Sequence, residues 1–220
     1  MSHFLRNRII IVLIAINILQ VGTVLIVNAN RSHARARRVA VLINNDASQR
    51  HVDNIIAAQN ACLQFGIEPI VVEGDAGGLP TRKKIIETLN SIPQNNQTLS
   101  LLYLTGHGSL LFDGADEPTP SIHFKDGPLA PCDVAIHLKN GATVVYVDVC
   151  FAPDWVEKLS KQMTGKVVLL SDKSGDAPQR SCRGVSEALW QNVSQNSQRS
   201  IKDAMYSAWR ETCPGVMYRN

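Results

Sequence analysis

Leu99-Ser100-Leu101-Leu102-Tyr103-Leu104-Thr105-Gly106-His107-Gly108-Ser109 and Thr143-Val144-Val145-Tyr146-Val147-Asp148-Val149-Cys150-Phe151 share one pattern, a short apolar run that ends on a reactive side chain. A continuous apolar run bounded by turn residues reads as a strand buried on both faces. Strands of that kind belong to parallel sheets covered by helices. Such sheets carry their ligands in the crevice beyond the carboxyl ends of the strands. His107 and Cys150 therefore fall on one rim of one sheet.

Outward from these two runs, β-rich stretches alternate with amphipathic ones. Val39–Asn44 predicts a strand, and Gln49–Phe65 a helix with Val52, Ile55, Ile56, Ala58 and Leu63 near helical spacing, closed by Gly66. Ile67–Val72 is the next strand. Thr81–Leu89 predicts a helix with Thr81 as N-cap and Pro93 as its stop. After Leu99–Thr105, the polar stretch Ser109–Pro131 reads as a long loop with a small hairpin around Ile122–Phe124. Asp133–Leu138 predicts a short helix, Thr143–Val149 the fourth strand, Pro153–Met163 a helix and Lys166–Leu170 the fifth strand. Arg183–Val193 and Ile201–Thr212 are the last helices. This order predicts an α/β fold with a mostly parallel open sheet and helices on both faces.

The 220 residues, 45% hydrophobic and 19% charged, are enough for one well-buried domain. The formal charge of +3 owes much to Arg6, Arg8, Arg31, Arg35, Arg37 and Arg38, so it does not describe the folded body and no nucleic-acid surface is expected. Ile9–Val27 is apolar apart from Asn17, Gln20 and Thr23 and is flanked by arginines. A bilayer span needs roughly 20 residues, whereas the apolar part of a signal peptide takes about 7–15. The chain thus divides into residues 1–29, a signal-anchor or signal peptide, residues 30–38, a basic linker, and residues 39–220, the folded domain. A single-pass membrane protein held through residues 9–27 is expected. Cleavage after Ala29, leaving a secreted or extracytoplasmic domain, is the alternative. Cys62, Cys132, Cys150, Cys182 and Cys213 form an odd set without CxxC spacing, so neither a zinc site nor a disulfide framework is expected.

A thiol and an imidazole on one rim are the minimum equipment for nucleophilic acyl transfer. The acyl intermediate needs donors for its oxyanion. Gly108 lets the backbone approach a substrate closely, so its N–H is a candidate donor, and the N–H of Cys150 is the second. Pro153 suits the first turn of the following helix, which sets Cys150 near a helix N-terminus, a setting that suits an anion.

An apolar strand ending in His-Gly, followed by an apolar strand ending in an acidic residue or Gln, any residue and Cys, resembles the caspase-like cysteine peptidases of clan CD: legumains, the catalytic subunit of GPI transamidase, metacaspases and caspases. Tyr103-Leu104-Thr105-Gly106-His107-Gly108-Ser109 is especially similar to the legumain and transamidase His motif. The resemblance covers Val39 to Val193. It implies a caspase-hemoglobinase-like three-layer α/β/α sandwich, His107 and Cys150 as a catalytic dyad, and the amides of Gly108 and Cys150 as the oxyanion hole. It also implies a cysteine endopeptidase acting on peptide or protein substrates; no metal ligand set or other cofactor is expected, and a calcium requirement stays open. Phe151-Ala152-Pro153 departs from the glycine-containing sequences that follow the nucleophile in several members.

Asp148 stands where metacaspases carry Asp and prefer basic side chains. Carried over, it lines an electronegative pocket with Asp176 and Asp172 of the Ser171–Asp176 loop, where paired carboxylates fork an arginine. Asp148 as a turn cap at the strand end is an equal reading. Two other functions stay open: a transamidase using the same acyl-enzyme, and a catalytically inactive caspase-like interaction module at a membrane. Ser181-Cys182-Arg183-Gly184 echoes the caspase nucleophile motif, but no apolar strand precedes it. His123 and His137 have no partner at ligand spacing.

Overall fold

A computed structural model describes residues 37–92, 97–112, 114, 117–138, 144–163, 167–171, 185–212 and 217–219. In chain order the elements are β1 (Arg37–Asn44), α1 (Gln49–Gln64), β2 (Glu68–Val72), α2 (Arg82–Ser91), β3 (Gln97–Thr105), β4 (Gly108–Leu111), β5 (Thr119–Phe124) and β6 (Gly127–Leu129). They continue with α3 (Pro131–Ala135), β7 (Val144–Asp148), α4 (Ala152–Ser160), β8 (Val168–Ser171), α5 (Val185–Gln195), α6 (Ile201–Thr212) and β9 (Met217–Arg219).

Among the described residues, six strands form one sheet in the order β2-β1-β3-β7-β8-β9, parallel throughout except for the edge strand β9, which runs antiparallel to β8. Successive side chains alternate between its faces. Val39, Val41, Ile43, Leu102, Leu104, Val145 and Val147 join Ile85, Leu89, Trp155 and Leu159 of α2 and α4 in one core. Ala40, Leu42, Leu101, Tyr103, Val144 and Tyr146 join Ile55 and Ala58 of α1 with Trp190 and Trp209 of α5 and α6 in the other. The result is the expected three-layer α/β/α sandwich. Because both faces are covered, the central strands have no polar side, which is why they read as continuous apolar runs. Leu101, Leu102 and Leu104 are wholly buried, each worth about 1.5–3 kcal/mol of apolar transfer.

The helix ends follow their sequence signals. Thr81 caps α2, its hydroxyl accepting from the Lys84 N–H at 3.1 Å, and Gly66 takes the left-handed φ of 61° that closes α1. The apolar seam of α1 departs from expectation. Ile55, Ala58, Ala61 and Cys62 face the core together with His51 and Asn54, whereas Val52, Ile56 and Leu63 are exposed. The inner face of the first turns is polar because it meets a buried carboxylate, described below, and an apolar spacing rule cannot see such a partner.

Ser109–Pro131 is more structured than a loop with one hairpin. Among its described residues, β4, β5 and β6 form a separate three-stranded antiparallel sheet. The carboxylate of Asp126, at the β5–β6 turn, accepts from the Arg82 and Lys83 N–H groups at 2.6 and 2.9 Å and so fixes this sheet to the start of α2.

The single-pass membrane localisation is corrected: among the described residues no helix is long and apolar enough to cross a membrane. Residues 9–27, on which that expectation rested, lie outside the described residues.

Candidate active site

Register brings the two quoted runs together at their ends. In the parallel ladder of β3 and β7, Thr105 is paired with Asp148, so His107 and Cys150 each stand two positions past a paired residue. The Gly106 N–H donates to the Asp148 carbonyl at 3.2 Å, carrying the ladder one step beyond the strands. Gly108 then lies directly against the second chain. A Cβ built there would stand 2.1 Å from the Cys150 carbonyl oxygen and 3.0 Å from Val149 Cγ2. Only glycine fits, and the segment after His107 thereby touches the backbone of Cys150.

Cys150 carries a half-buried thiol outside any disulfide. The residue after it, Phe151, is the N-cap of α4 and holds a left-handed φ of 60°, unusual for a side chain of that size. That turn redirects the chain sharply from β7 into α4, closed by the Trp155 N–H donating to the Phe151 carbonyl at 3.0 Å. Cys150 is thus presented at the rim rather than absorbed into the strand or the helix.

His107 is held from the neighbouring strand. Beyond the carboxyl end of β1, the Asn45 side chain accepts from the His107 N–H at 2.6 Å and donates to the His107 carbonyl at 2.7 Å. The same amide donates to the His123 carbonyl at 3.2 Å, tying the β5 strand to the rim. Gly106 makes this clamp possible: its φ is 131°, and a Cβ there would fall 1.6 Å from Asn45 Oδ1. The imidazole itself is exposed, and its Nε2 lies 3.0 Å from Asp46 Oδ2.

Asp46 is fixed in turn by Ser48, whose N–H and hydroxyl donate to its carboxylate at 2.8 and 3.1 Å. Partial burial is the largest influence on the Asp46 carboxyl and opposes ionisation. Ser48, His107 and His51 together outweigh it and hold the group below its ordinary range.

His51 stands on the other side of Asp46, its Nε2 3.5 Å from Oδ2. Its ring lies edge-on to that of His107 at 6.3 Å between centroids. The Nδ1 of His51 is 2.7 Å from Thr105 Oγ1. Burial first, then the nearby Arg50, lowers the His51 pKa below its usual value, with Asp46 opposing and His107 adding to the fall.

The Thr105 hydroxyl leads on to Asp148. Asp148 Oδ2 accepts from the hydroxyls of Ser186 at 2.6 Å, Thr105 at 3.0 Å and Tyr103 at 3.1 Å, and from the Asn54 amide at 3.4 Å. Arg50 stands 4.0 Å from the other oxygen. The carboxyl is only 3% exposed, and it faces α1 and α5 beneath the rim. Its burial, and the anion itself, push the Tyr103 phenol far above its ordinary range, so Tyr103 remains a donor.

The structure therefore brings His107, Gly108 and Cys150 to one place, with Asp148 directly below. Asp172, Asp176 and Cys182 lie outside the described residues. Cys62 is fully buried in the core, its thiol pushed up to about 12 by burial, and Cys132 is exposed. His123 lies 3.4 Å from the Ser121 hydroxyl.

Sequence reasoning missed Asn45, Asp46, Arg50, His51, Asn54 and Ser186. One signal was present: Asn45-Asp46 follows β1 as Gly106-His107 follows β3, and the rule about carboxyl ends applies to both strands.

No protein-family model matches the chain, and no curated protein matches it. Among solved structures, a structural-genomics target from Geobacter sulfurreducens is similar at 16% identity and a TM-score of 0.49, covering 84% of this chain and 92% of that one. The Drosophila initiator caspase Dronc is similar at 11% identity and a TM-score of 0.46, covering 81% and 72%.

Proposed function

We infer that the protein is a cysteine endopeptidase in which Cys150 is the nucleophile and His107 the general acid and base. The observation that carries this reading is the paired rim: Thr105 beside Asp148, with Gly108 seated against the Cys150 carbonyl. His107 takes the proton of the Cys150 thiol, and the sulfur attacks the carbonyl carbon of the scissile bond. The amides of Gly108 and Cys150 receive the oxyanion. Collapse of the tetrahedral intermediate breaks the C–N bond, and His107 protonates the departing amine. His107 then takes a proton from water as its oxygen attacks the thioester carbon; collapse breaks the C–S bond, and His107 returns the proton to the sulfur, releasing the acid and the free thiol. Asp46 acts through His107 as a positioning residue. An amine in place of water in the last step makes the same site a transamidase.

The specificity reading is a pocket for arginine or lysine floored by Asp148, with Asp172 and Asp176 contributing from the loop after β8. Its support is a carboxylate under the rim, two positions before the nucleophile.

Labelling tests the activity directly. An acyloxymethyl ketone with a basic recognition residue should modify the wild-type chain at Cys150 and spare both Cys150→Ala and His107→Ala. A folded wild-type protein that stays unlabelled from acid to neutral pH would point instead to an interaction module without catalysis.

A further inference from the structure

A groove of about 690 Å³ opens at the carboxyl ends of β1 and β2. Val52 and Ile56 of α1 form one wall, Leu79 and Pro80 of the segment before α2 the other, and Val71 lies between them. Ile56 and Leu79 are 48% and 45% exposed, so the fold leaves large apolar groups facing an open cleft. The wall before α2 is closed on itself, the Gly74 N–H donating to the Gly78 carbonyl at 2.8 Å, and so the groove is preformed.

The groove continues from the candidate site. Asn44 and Ala47 line it, and they bracket Asn45 and Asp46, which hold His107. Sheet order fixes which part of a substrate passes this way. The acyl carbon bonds to Cys150 at the end of β7, while the departing nitrogen takes its proton from His107 at the end of β3. The direction from β7 to β3 is therefore the direction from the acyl half to the leaving half. Continued along the sheet, it leads over β1 to β2. Neighbouring strands lie about 4.8 Å apart, so the ends of β1 and β2 are about 10 and 14 Å from that of β7, a span covered by about three to four residues of extended chain at about 3.3 Å each.

We propose that this groove is a subsite for a large apolar side chain of the leaving half of a peptide substrate, at the third or fourth residue past the cleaved bond; the proposal rests on the peptidase reading above. The cleft adds the apolar groups of Val52, Ile56, Leu79 and Pro80 to a lining that also includes Gln59 and Glu73, and it lies on the amine side of the dyad. A branched or aromatic side chain buries against Ile56 and Leu79, whereas serine has no apolar surface to bury there.

The test uses the full chain and internally quenched peptides with a mixture of residues before the cleaved bond and a leaving half of serines, with leucine or serine at its third or fourth position. Leucine should raise kcat/KM about tenfold to a hundredfold over serine, and Ile56→Asp should bring that ratio close to one. Leu79→Ser is the second variant. Both side chains are half-exposed, and melting temperatures confirm that the variants fold. Calorimetric titration with the leaving-half peptide alone, whose free amino end cannot acylate Cys150, separates binding from catalysis.

Hydrolysis with a leucine-to-serine ratio near one overturns the subsite and leaves the peptidase reading standing. Binding of the leucine peptide, lost in Ile56→Asp, with no hydrolysis of any substrate upholds the groove's ligand and overturns the peptidase reading. Neither hydrolysis nor binding overturns both.

Discussion

Asp46 reaches both the exposed His107 and the buried His51. A carboxylate at 3.0 Å from Nε2 fixes the orientation of the imidazole, and a general acid displaced by about 1 Å loses on the order of a hundredfold in rate. Asp46→Asn should therefore lower kcat/KM by about that factor while leaving Cys150 open to a small alkylating reagent, as steady-state assays and mass spectrometry will show. Asp148 answers to a different measurement. Its Oδ2 accepts four hydrogen bonds in a site almost closed to water. An amide there must face some of its partners with the wrong group, so Asp148→Asn should lower stability by about 1–3 kcal/mol in denaturant titrations. If Asp148 also floors a basic pocket, the variant should lose tenfold to a thousandfold in kcat/KM for arginine and lysine substrates; an equal loss for all substrates would leave it a structural acid. His107 and Cys150 were legible in the sequence because each follows an apolar run, whereas Asp46 follows a strand as many capping residues do. Only the adjacency of β1 and β3 sets it apart.

At the scale of elements, the site depends on how closely two strand ends approach. Gly108→Ala inserts a methyl group where the nearest atom is backbone, the Cys150 carbonyl oxygen at 2.1 Å, and backbone cannot rotate aside. The variant should push the segment after β3 away from the turn into α4, reducing stability by about 1–3 kcal/mol as overpacking does and abolishing labelling of Cys150 by the acyloxymethyl ketone. The central strands β1, β3, β7 and β8 were legible because burial on both faces forces an apolar run. The strands β4 to β6 were not: they are short, largely half-buried in β4, and interrupted by Pro120, Gly127 and Pro128, residues that ordinarily argue against a strand. β9 is an edge strand of three residues, too brief to carry a period. In α1 the expected stripe turned outward at Val52 and Ile56 because His51 and Asn54 occupy the inner positions beside Thr105 and Asp148.

For the whole molecule, the buried histidine sets the response to acid. Burial, then Arg50, depresses His51 below its ordinary value of 6.5 in the folded protein, against the pull of Asp46. Below that pH the unfolded chain takes up the proton more readily than the folded one, so stability falls as pH drops from about 6.5 through the lower folded value. His137, lowered by partial burial, adds to the slope. Asp46 acts further down, its contribution lost only as pH falls through a value below 3.8. Calorimetric melting temperatures should therefore hold steady above neutrality and decline from about pH 6.5, with a shallower decline in His51→Gln. The packing beneath Asp148 makes the same region visible by its own light. Tyr103 and Tyr146 are stacked with centroids 5.4 Å apart, and Trp190 meets both edge-on at 5.0 and 6.2 Å. The Tyr103 hydroxyl that donates to Asp148 belongs to the ring nearest that indole, so a basic side chain bound at Asp148, as the specificity proposal has it, would reach a chromophore through one hydroxyl. Occupation of that proposed pocket should register as a change in ultraviolet emission that Trp190→Phe removes while Trp155 and Trp209 continue to emit, an intrinsic indicator sealed in the core and needing no attached dye.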